Sequence, residues 1–173
     1  MHDDDKDDTE AVRGRLRDLI KSHRFAMMTT RREDDALRSR PMTTIEHEGD
    51  DSLWFFAKSD SAVADELGHH PQVALSYSES SKPDFVSVSG EAAIVTDVGK
   101  KRALWNPGVQ AWFPEGPDAR DVILVRVMPR HAEYWDTYSS KLVQLFSYAK
   151  AMASGSPPRD IGEHRDVPLG RRS

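Results

Sequence analysis

The sequence predicts a mainly β fold, a closed or split six-stranded antiparallel β-barrel with a few peripheral helices. Six short segments rich in β-branched and aromatic residues are separated by turn-forming Gly, Pro and Asp residues. The longest alternating segment contains Gly90, which indicates a bulge of the kind that bends barrel strands. No Gly-rich phosphate loop follows the first strand, so a doubly wound dinucleotide fold is disfavoured.

Length and composition restrict the class of protein. A chain of 173 residues suits one domain whose core needs no disulfide or metal. Cys is absent, which excludes disulfides and thiolate sites and agrees with a reducing cytoplasm. The net charge of −5 gives nucleic acid little attraction, and no apolar run approaches the ~20 residues of a membrane span. We expect a cytoplasmic protein with no nucleic-acid or membrane partner.

Three regions are expected along the chain. Residues 1–9 contain five Asp and predict a disordered acidic tail. Residues 10–153 form the folded domain, and 154–173, rich in Pro, Arg and Gly, predict a flexible tail or one wrapped on a partner subunit. The domain opens with an amphipathic helix from Glu10 to His23, and a strand follows over Phe25 to Thr30.

The central part of the chain predicts a hairpin followed by a short helix. Met42 to Glu48 alternates in polarity, and the turn residues 49–51 lead into the strand Leu53 to Ala57. Asp60 or Ser61 is a suitable N-cap for a helix that ends near Gly68. The later elements are strands at 73–77, 85–95 and 122–128 (the last resuming toward 135), helices at 98–105 and from 139, and a structured loop at 106–118.

Basic and hydroxyl side chains are concentrated where two of these strands end. Arg38 and Arg40 are alternate residues, so they point the same way from an extended backbone and can together hold a phosphate. Lys58, Ser59 and Ser61 stand where a strand gives way to a helix, whose first N–H groups can join them. The alternative for each residue is a solvated charge at a hairpin end.

The segment Leu53 to Ala57 carries three consecutive aromatic residues and is apolar on both faces. Such a segment is typical of a central strand covered by a helix or subunit. It can also form one wall of a slot for a planar ring, and the same strand can do both. A flat apolar wall beside a cationic turn suits flavin mononucleotide (FMN), which joins a broad ring system to a phosphate of up to about two negative charges.

Several short motifs occur in a familiar order. They are Arg40-Pro41-Met42-Thr43-Thr44, Phe56-Ala57, Lys58-Ser59-Asp60-Ser61, Ala111-Trp112-Phe113-Pro114-Glu115-Gly116 and Trp135-Asp136. Over roughly Leu16 to Phe146 the sequence resembles the general stress protein 26 family of pyridoxamine 5'-phosphate oxidase-like, FMN-binding split barrels. The resemblance implies a stress-response homodimer with flavin at the subunit interface, acting as an oxidoreductase of unknown substrate or as a flavin carrier. FMN is the expected cofactor, with FAD as the alternative.

The resemblance also implies a set of site residues. The first motif contacts the ring and ribityl chain, the second adds contacts and the third approaches the phosphate. The resulting candidate cofactor-binding residues are Arg38, Arg40, Pro41, Met42, Thr43, Phe55, Phe56, Ala57, Lys58, Ser59, Ser61 and Trp135. Val63 stands where oxidase-type relatives often carry a basic residue, so the phosphate falls to Lys58, Ser59 and an upstream Arg. The oxidases' substrate-binding Arg and His have no clear match, which argues against pyridoxamine phosphate oxidation, and no catalytic residue is assigned.

Two alternatives remain open at this point. One is a related split barrel that uses deazaflavin or haem, and the other is a non-catalytic ligand- or partner-binding module. A metal site is not predicted, because the adjacent His69 and His70 point different ways in most backbones and no HExxH spacing is present.

Overall fold

The computed structural model describes residues 4–45, 51–79, 81–136 and 163–169. The elements in chain order are α1 Asp4–Ser22, β1 Phe25–Arg31, β2 Leu37–Thr43, β3 Leu53–Lys58, α2 Ala62–His69, β4 Gln72–Glu79, β5 Lys82–Val95, α3 Val98–Leu104, α4 Pro107–Trp112, β6 Val122–Asp136 and β7 Glu163–Pro168. None of these helices is both long enough and apolar enough to cross a membrane.

All strand pairs in the sheet are antiparallel, in the order β2-β1-β4-β5-β6-β3, and β7 pairs with β6. The two ends of this path approach one another, because the backbone N–H of Ile45, just after β2, donates to Trp54 O on β3 at 2.9 Å. A sheet that curls until its ends meet at a single bridge is a split barrel. The predicted fold class is therefore confirmed, with seven strands among the described residues rather than six.

The bend predicted at Gly90 is present in the β5–β6 ladder. Ser89 lies opposite His131 whereas Gly90 lies opposite Pro129, so Arg130 is an extra residue on β6. A Cβ atom on Gly90 would lie 2.3 Å from Met128 O, closer than van der Waals contact allows. Only glycine fits there. β6 nevertheless continues through Pro129 instead of being interrupted, because the missing N–H of proline is tolerated at a bulge.

Two apolar clusters flank β3, and together they explain its consecutive aromatic residues. Phe55 lies inside the barrel with Met28 and Leu75, all fully buried. Trp54 and Phe56 point to the opposite side, where α3 and α4 cover them. β3 is therefore packed on both faces and covered by helices, as predicted, but it is the last strand of the sheet path rather than a central one.

The hairpin predicted for residues 42–57 is wrong. β2 ends at Thr43 and pairs with β1 around a turn in which Asp35 has φ 63°, while β3 pairs with β6. Only the Ile45–Trp54 bridge joins the two predicted partners. The alternating pattern after Met42 suggested a strand, but β2 lies largely before it, in a segment whose charged residues resemble a loop. Similarly, the predicted loop at 106–118 contains α4, which Asn106 caps by accepting from Val109 N at 3.0 Å.

Both predicted tails contain regular structure. α1 begins at Asp4, inside the predicted acidic tail, and its first residues are mostly Asp, which helix N-termini favour. β7 lies inside the predicted flexible tail of 154–173 and pairs with β6 from His131 to Asp136, with Val167 buried. β7 thereby provides hydrogen-bond partners for the backbone of β6 on the edge that faces away from β5, beyond the end of β3. The helix predicted from residue 139 lies outside the described residues.

Candidate functional site

A cleft of about 1720 Å³ opens among α1, β2, β3 and the α3–α4 region. Small-molecule sites usually measure about 300–1,000 Å³, so this one has room for more than one small group. Its apolar surface includes Pro41 and Met42 from β2, and Phe56 and Ala57 from β3. β2 is the terminal strand of the sheet path, so one edge of its backbone has no neighbouring strand for most of its length.

The aromatic side of the cleft is built by contacts with Phe56. The ring of Trp105 meets it edge to face, with centroids 5.2 Å apart and an angle of 86°. The ring of Phe113 is tilted by 47° to that of Phe56, with the centroids 6.0 Å apart. The indole N–H of Trp105 donates to Gln110 Oε1 at 2.9 Å, which fixes the ring's orientation. The cleft therefore has a preformed apolar wall of interlocked aromatic side chains.

The charged residues that line the cleft are strongly unbalanced. Among the described residues, seven cationic side chains face the cleft and Asp51 is the one carboxylate. The cations are Arg13, Arg17, Lys21, Arg24, Arg38, Arg40 and Lys58. Several of these cations are paired with carboxylates at the border of the cleft, so the positive charge that can attract an anion is the smaller excess that remains after this pairing.

Arg38 and Arg40 occupy the same face of β2, as the sequence predicts, and both contact the buried carboxylate of Glu66 from α2. Arg38 Nη1 lies 3.1 Å from Glu66 Oε1, and Arg40 Nη2 lies 2.5 Å from Oε2. Thr30 Oγ1 donates to Glu66 and accepts from Arg40. This network holds two guanidinium groups with one carboxylate, leaving one net positive charge.

The network also sets the ionisation of Glu66. Burial raises the pKa of the carboxyl, but hydrogen bonds from Thr30 and Arg40 and the charge of Arg38 outweigh this effect. The net result is a pKa below the usual range for Glu. Glu66 is thus a permanent anion at neutral pH, and it orients both arginines.

Lys58 is held differently. Its Nζ lies 2.7 Å from Asp121 Oδ2 and 3.0 Å from Glu115 Oε1, and these hydrogen bonds raise the pKa of the ammonium group. The loop that carries both carboxylates is fixed by the buried Lys101, which donates to Ala119 O and Val122 O at 2.9 Å each. Two carboxylates more than compensate the charge of Lys58, so the arginine pair is the more electropositive group.

The start of α2 reaches the cleft through Ser61, the N-cap residue predicted from the sequence. Ser61 Oγ accepts from Ala64 N at 3.4 Å and donates to Lys58 O at 2.5 Å, which ties the helix to the end of β3. Val63 is buried in the first turn. No basic side chain therefore stands in the first turn of this helix.

Nine of the twelve predicted cofactor-binding residues line the cleft. They are Arg38, Arg40, Pro41, Met42, Thr43, Phe56, Ala57, Lys58 and Ser61. Phe55 is in the barrel core instead, and Ser59 lies outside the cleft with its N–H donated to Asp121 O. Trp135 stands at the far end of β6 opposite Phe85.

The sequence interpretation missed the basic residues that α1 brings to the cleft. Arg13, Arg17 and Lys21 repeat every four residues, so they share one helix face, and Arg24 follows the helix end. That spacing was the available signal. Trp105, Trp112 and Phe113 also line the cleft although they are not among the twelve predicted residues, and the place of Trp105 depends on the packing of α3 and α4 against β3.

One group of potential metal ligands lies outside the cleft. His131 Nε2 is 3.1 Å from Asp166 Oδ1 and 3.4 Å from Glu133 Oε1, on the partly exposed surface of β6 and β7. The sequence predicts no metal site here. The contacts suit an ion pair when the imidazole is protonated.

Known proteins share this sequence and this fold. Residues 11–159 match the model of the family described as pyridoxamine 5'-phosphate oxidase like. Protein bli-3 of Neurospora crassa is 31% identical over 152 residues, which cover 82% of this chain and 73% of that protein.

Two solved structures agree with this assignment. The general stress FMN/FAD binding protein of Xanthomonas citri superposes with a TM-score of 0.61 at 34% identity, covering 70% of this chain and 86% of the other. A candidate general stress protein 26 from Jannaschia sp. CCS1 has a TM-score of 0.73 at 21% identity, covering 92% and 99% of the two chains, and so shows the shared fold. The chain therefore belongs to the pyridoxamine 5'-phosphate oxidase-like family, in which general stress proteins share its split barrel.

Proposed function

We propose that this protein binds FMN in the cleft, with FAD as the alternative, and serves as a general stress-type flavin protein. The observation that carries the proposal is an apolar slot beside Arg38 and Arg40, two guanidinium groups that share the single carboxylate of Glu66 and so keep a net positive charge. A flavin nucleotide combines an anionic group with a planar ring, which is the chemistry that such a slot selects. The Xanthomonas citri relative, an FMN/FAD binding protein, supports the same ligand class.

The phosphate is assigned first to Arg38 and Arg40. Their hydrogen bonds with protein partners use Arg38 Nη1 and both Nη atoms of Arg40, and each guanidinium group has five N–H donors. Donors thus remain for a ligand. Lys58 and the α2 start at Ser61 are secondary, because the charge of Lys58 is already compensated by Asp121 and Glu115.

The ring is assigned to the surface formed by β2 and β3. Pro41, Met42 and Thr43 lie on β2, the terminal strand of the described sheet, where Pro41 has no N–H and can offer only its carbonyl to polar ring atoms, and Phe56 and Ala57 form the apolar wall. The flavin, when bound, supplies two-electron redox chemistry, and the protein supplies binding, orientation and electrostatics. We infer an oxidoreductase whose substrate is not yet identified.

We further propose a homodimer with the flavin at the subunit interface. Phe25 and Met27 alternate with buried residues on β1 and point away from the barrel, with exposures of 57% and 44%. Phe85 and Trp135 are 50% and 38% exposed on the same outer sheet face. Such apolar surface is typical of subunit contacts, and it is continuous with the cleft through Phe25.

The phosphate assignment is tested by comparing FMN with riboflavin, which lacks the phosphate. Arg38→Gln should raise the Kd for FMN about tenfold, as expected when one charge-assisted hydrogen bond is lost, and leave the Kd for riboflavin nearly unchanged. Arg38 is 43% exposed, so this variant should fold. Fluorescence titration measures both constants. Arg120→Gln is the matched control, because Arg120 is exposed and lies outside the cleft. Equal losses for FMN and riboflavin would exclude a phosphate role for Arg38.

A further inference from the structure

A second group of cations lines the cleft on the α1 side. Lys21, near the C-terminal end of α1, and Arg24, just before β1, both face the cleft. FMN carries a single phosphate, which the proposed function places at the arginine pair of β2. The α1 group therefore has no ligand in that proposal.

The two cationic groups are far apart. The carbonyl of Arg24 accepts from Thr44 N at 3.3 Å, which places Arg24 beside the end of β2. The guanidinium group of Arg40 is anchored at Thr30, six residues further along the chain from Arg24. At about 3.3 Å per strand residue, the separation along β1 is roughly 20 Å. One phosphate cannot contact both groups.

Charge pairing distinguishes Lys21 and Arg24 from their neighbours. Arg17 contacts Asp51 at 3.3 Å and Glu10 at 3.1 Å, and Arg13 lies 3.8 Å from Asp51. In contrast, neither Lys21 nor Arg24 has an ion pair or a side-chain hydrogen bond within the described part of the chain. Surface cations are often simply solvated, but these two stand in a concave site that is poor in carboxylates.

Within the described ranges 4–45, 51–79, 81–136 and 163–169, the wall next to Arg24 contains no carboxylate paired with it. Arg24 Nη2 lies 3.6 Å from the position that a Cβ on Gly108 would occupy, so its guanidinium group rests beside the first turn of α4. The neighbouring cleft residues Trp105, Asn106 and Val109 are neutral. They offer an apolar surface and an amide next to two uncompensated positive charges.

We propose that Lys21 and Arg24 form a second anion subsite, which binds the phosphate or carboxylate group of a small organic anion beside the flavin. The substrate class of this protein is then a small organic anion whose apolar part lies against Trp105. This inference rests on the proposed function for the flavin neighbour, but anion binding at Lys21 and Arg24 does not require flavin.

The subsite is tested on isotope-labelled, flavin-free protein by nuclear magnetic resonance. Inorganic phosphate and succinate are titrated separately at constant ionic strength. We expect saturable shift changes at the Gly108 amide and the Arg24 side chain, separate from any changes near Ser61. The double variant Lys21→Gln, Arg24→Gln should raise the apparent Kd of the first set at least tenfold, while Arg120→Gln leaves it unchanged. A response to phosphate alone or to succinate alone identifies the preferred group.

The proposal is overturned if neither anion shifts the Arg24 and Gly108 signals of the wild-type protein, or if the double variant responds as the wild type does. Failure of the flavin proposal gives a different pattern. In that case FMN leaves the protein's fluorescence and spectrum unchanged, whereas the anion response at Arg24 persists.

Discussion

Glu66 is the residue on which the geometry of the cationic cleft depends most. Its carboxylate is nearly buried, and it joins α2 to β1 through Thr30 and to β2 through Arg38 and Arg40. These partners stabilise the buried carboxylate. Removing it would leave the two guanidinium groups without the anion that orients them. Glu66 is therefore a positioning residue for the proposed phosphate group.

We expect Glu66→Gln to lower the free energy of unfolding by roughly 2–4 kcal/mol at neutral pH, between the cost of losing hydrogen bonds to charged groups and that of breaking a buried ion pair. Denaturant titration measures this loss. Glu91→Gln is the matched control, because its contact with Arg130 is exposed, and it should cost less than about 1 kcal/mol.

The wild type and Glu66→Gln should also differ in how the free energy of unfolding depends on pH. Because the folded state lowers the pKa of Glu66, its contribution is complete above the unfolded pKa of about 4.3 and is lost as pH falls through the folded value. The stability gap between wild type and Glu66→Gln should thus close in acid. A gap that stays constant down to the lowest pH at which the protein folds would contradict the ionic role of Glu66.

At the scale of elements, the β5–β6 bulge bends the barrel and leaves no space at Gly90. Gly90→Ala would place a Cβ 2.3 Å from Met128 O, so we expect a loss of at least about 2 kcal/mol in unfolding free energy. Gly14→Ala, in the middle of α1 with no atom within 4 Å, should instead gain about 0.5–1 kcal/mol from helix propensity. Thermal and denaturant unfolding distinguish the two. Equal effects would show that the strands do not approach closely at Gly90.

Local patterns were sufficient for most elements and for three of the seven cations that line the cleft. The alternation that predicts Arg38 and Arg40 on one face is confirmed by their register opposite Thr30 and Met28. Ser61 was identified as a possible cap because its hydroxyl acts within its own turn. Both features depend only on residues that are neighbours in the chain, and such features can be predicted from a sequence.

Features that depend on distant pairing were not predictable in this way. Glu66 meets Arg40 across 26 residues of sequence, and only the docking of α2 under β1 and β2 brings them together. β7 has a weak strand pattern, and its pairing with the open edge of β6 accounts for it. β3 was paired with the wrong neighbour because its true partner β6 begins more than sixty residues later.

At the scale of the whole molecule, an acidic chain surrounds a cationic cleft. The net charge of −5 disfavours nucleic acid, while the positive charge that remains in the cleft after ion pairing attracts small anions. The exposed apolar face around Phe25 and Phe85 adjoins this cleft, so covering it with a second chain would also enclose the ligand. Flavin binding and dimer formation are thus expected together.

Sedimentation velocity of the purified protein mixed with FMN, recorded at a wavelength that flavin alone absorbs, tests this claim most directly. We expect flavin absorbance to sediment with a two-chain species whose size does not change when further FMN is added. Flavin that stays behind while the folded protein sediments without it would contradict the account.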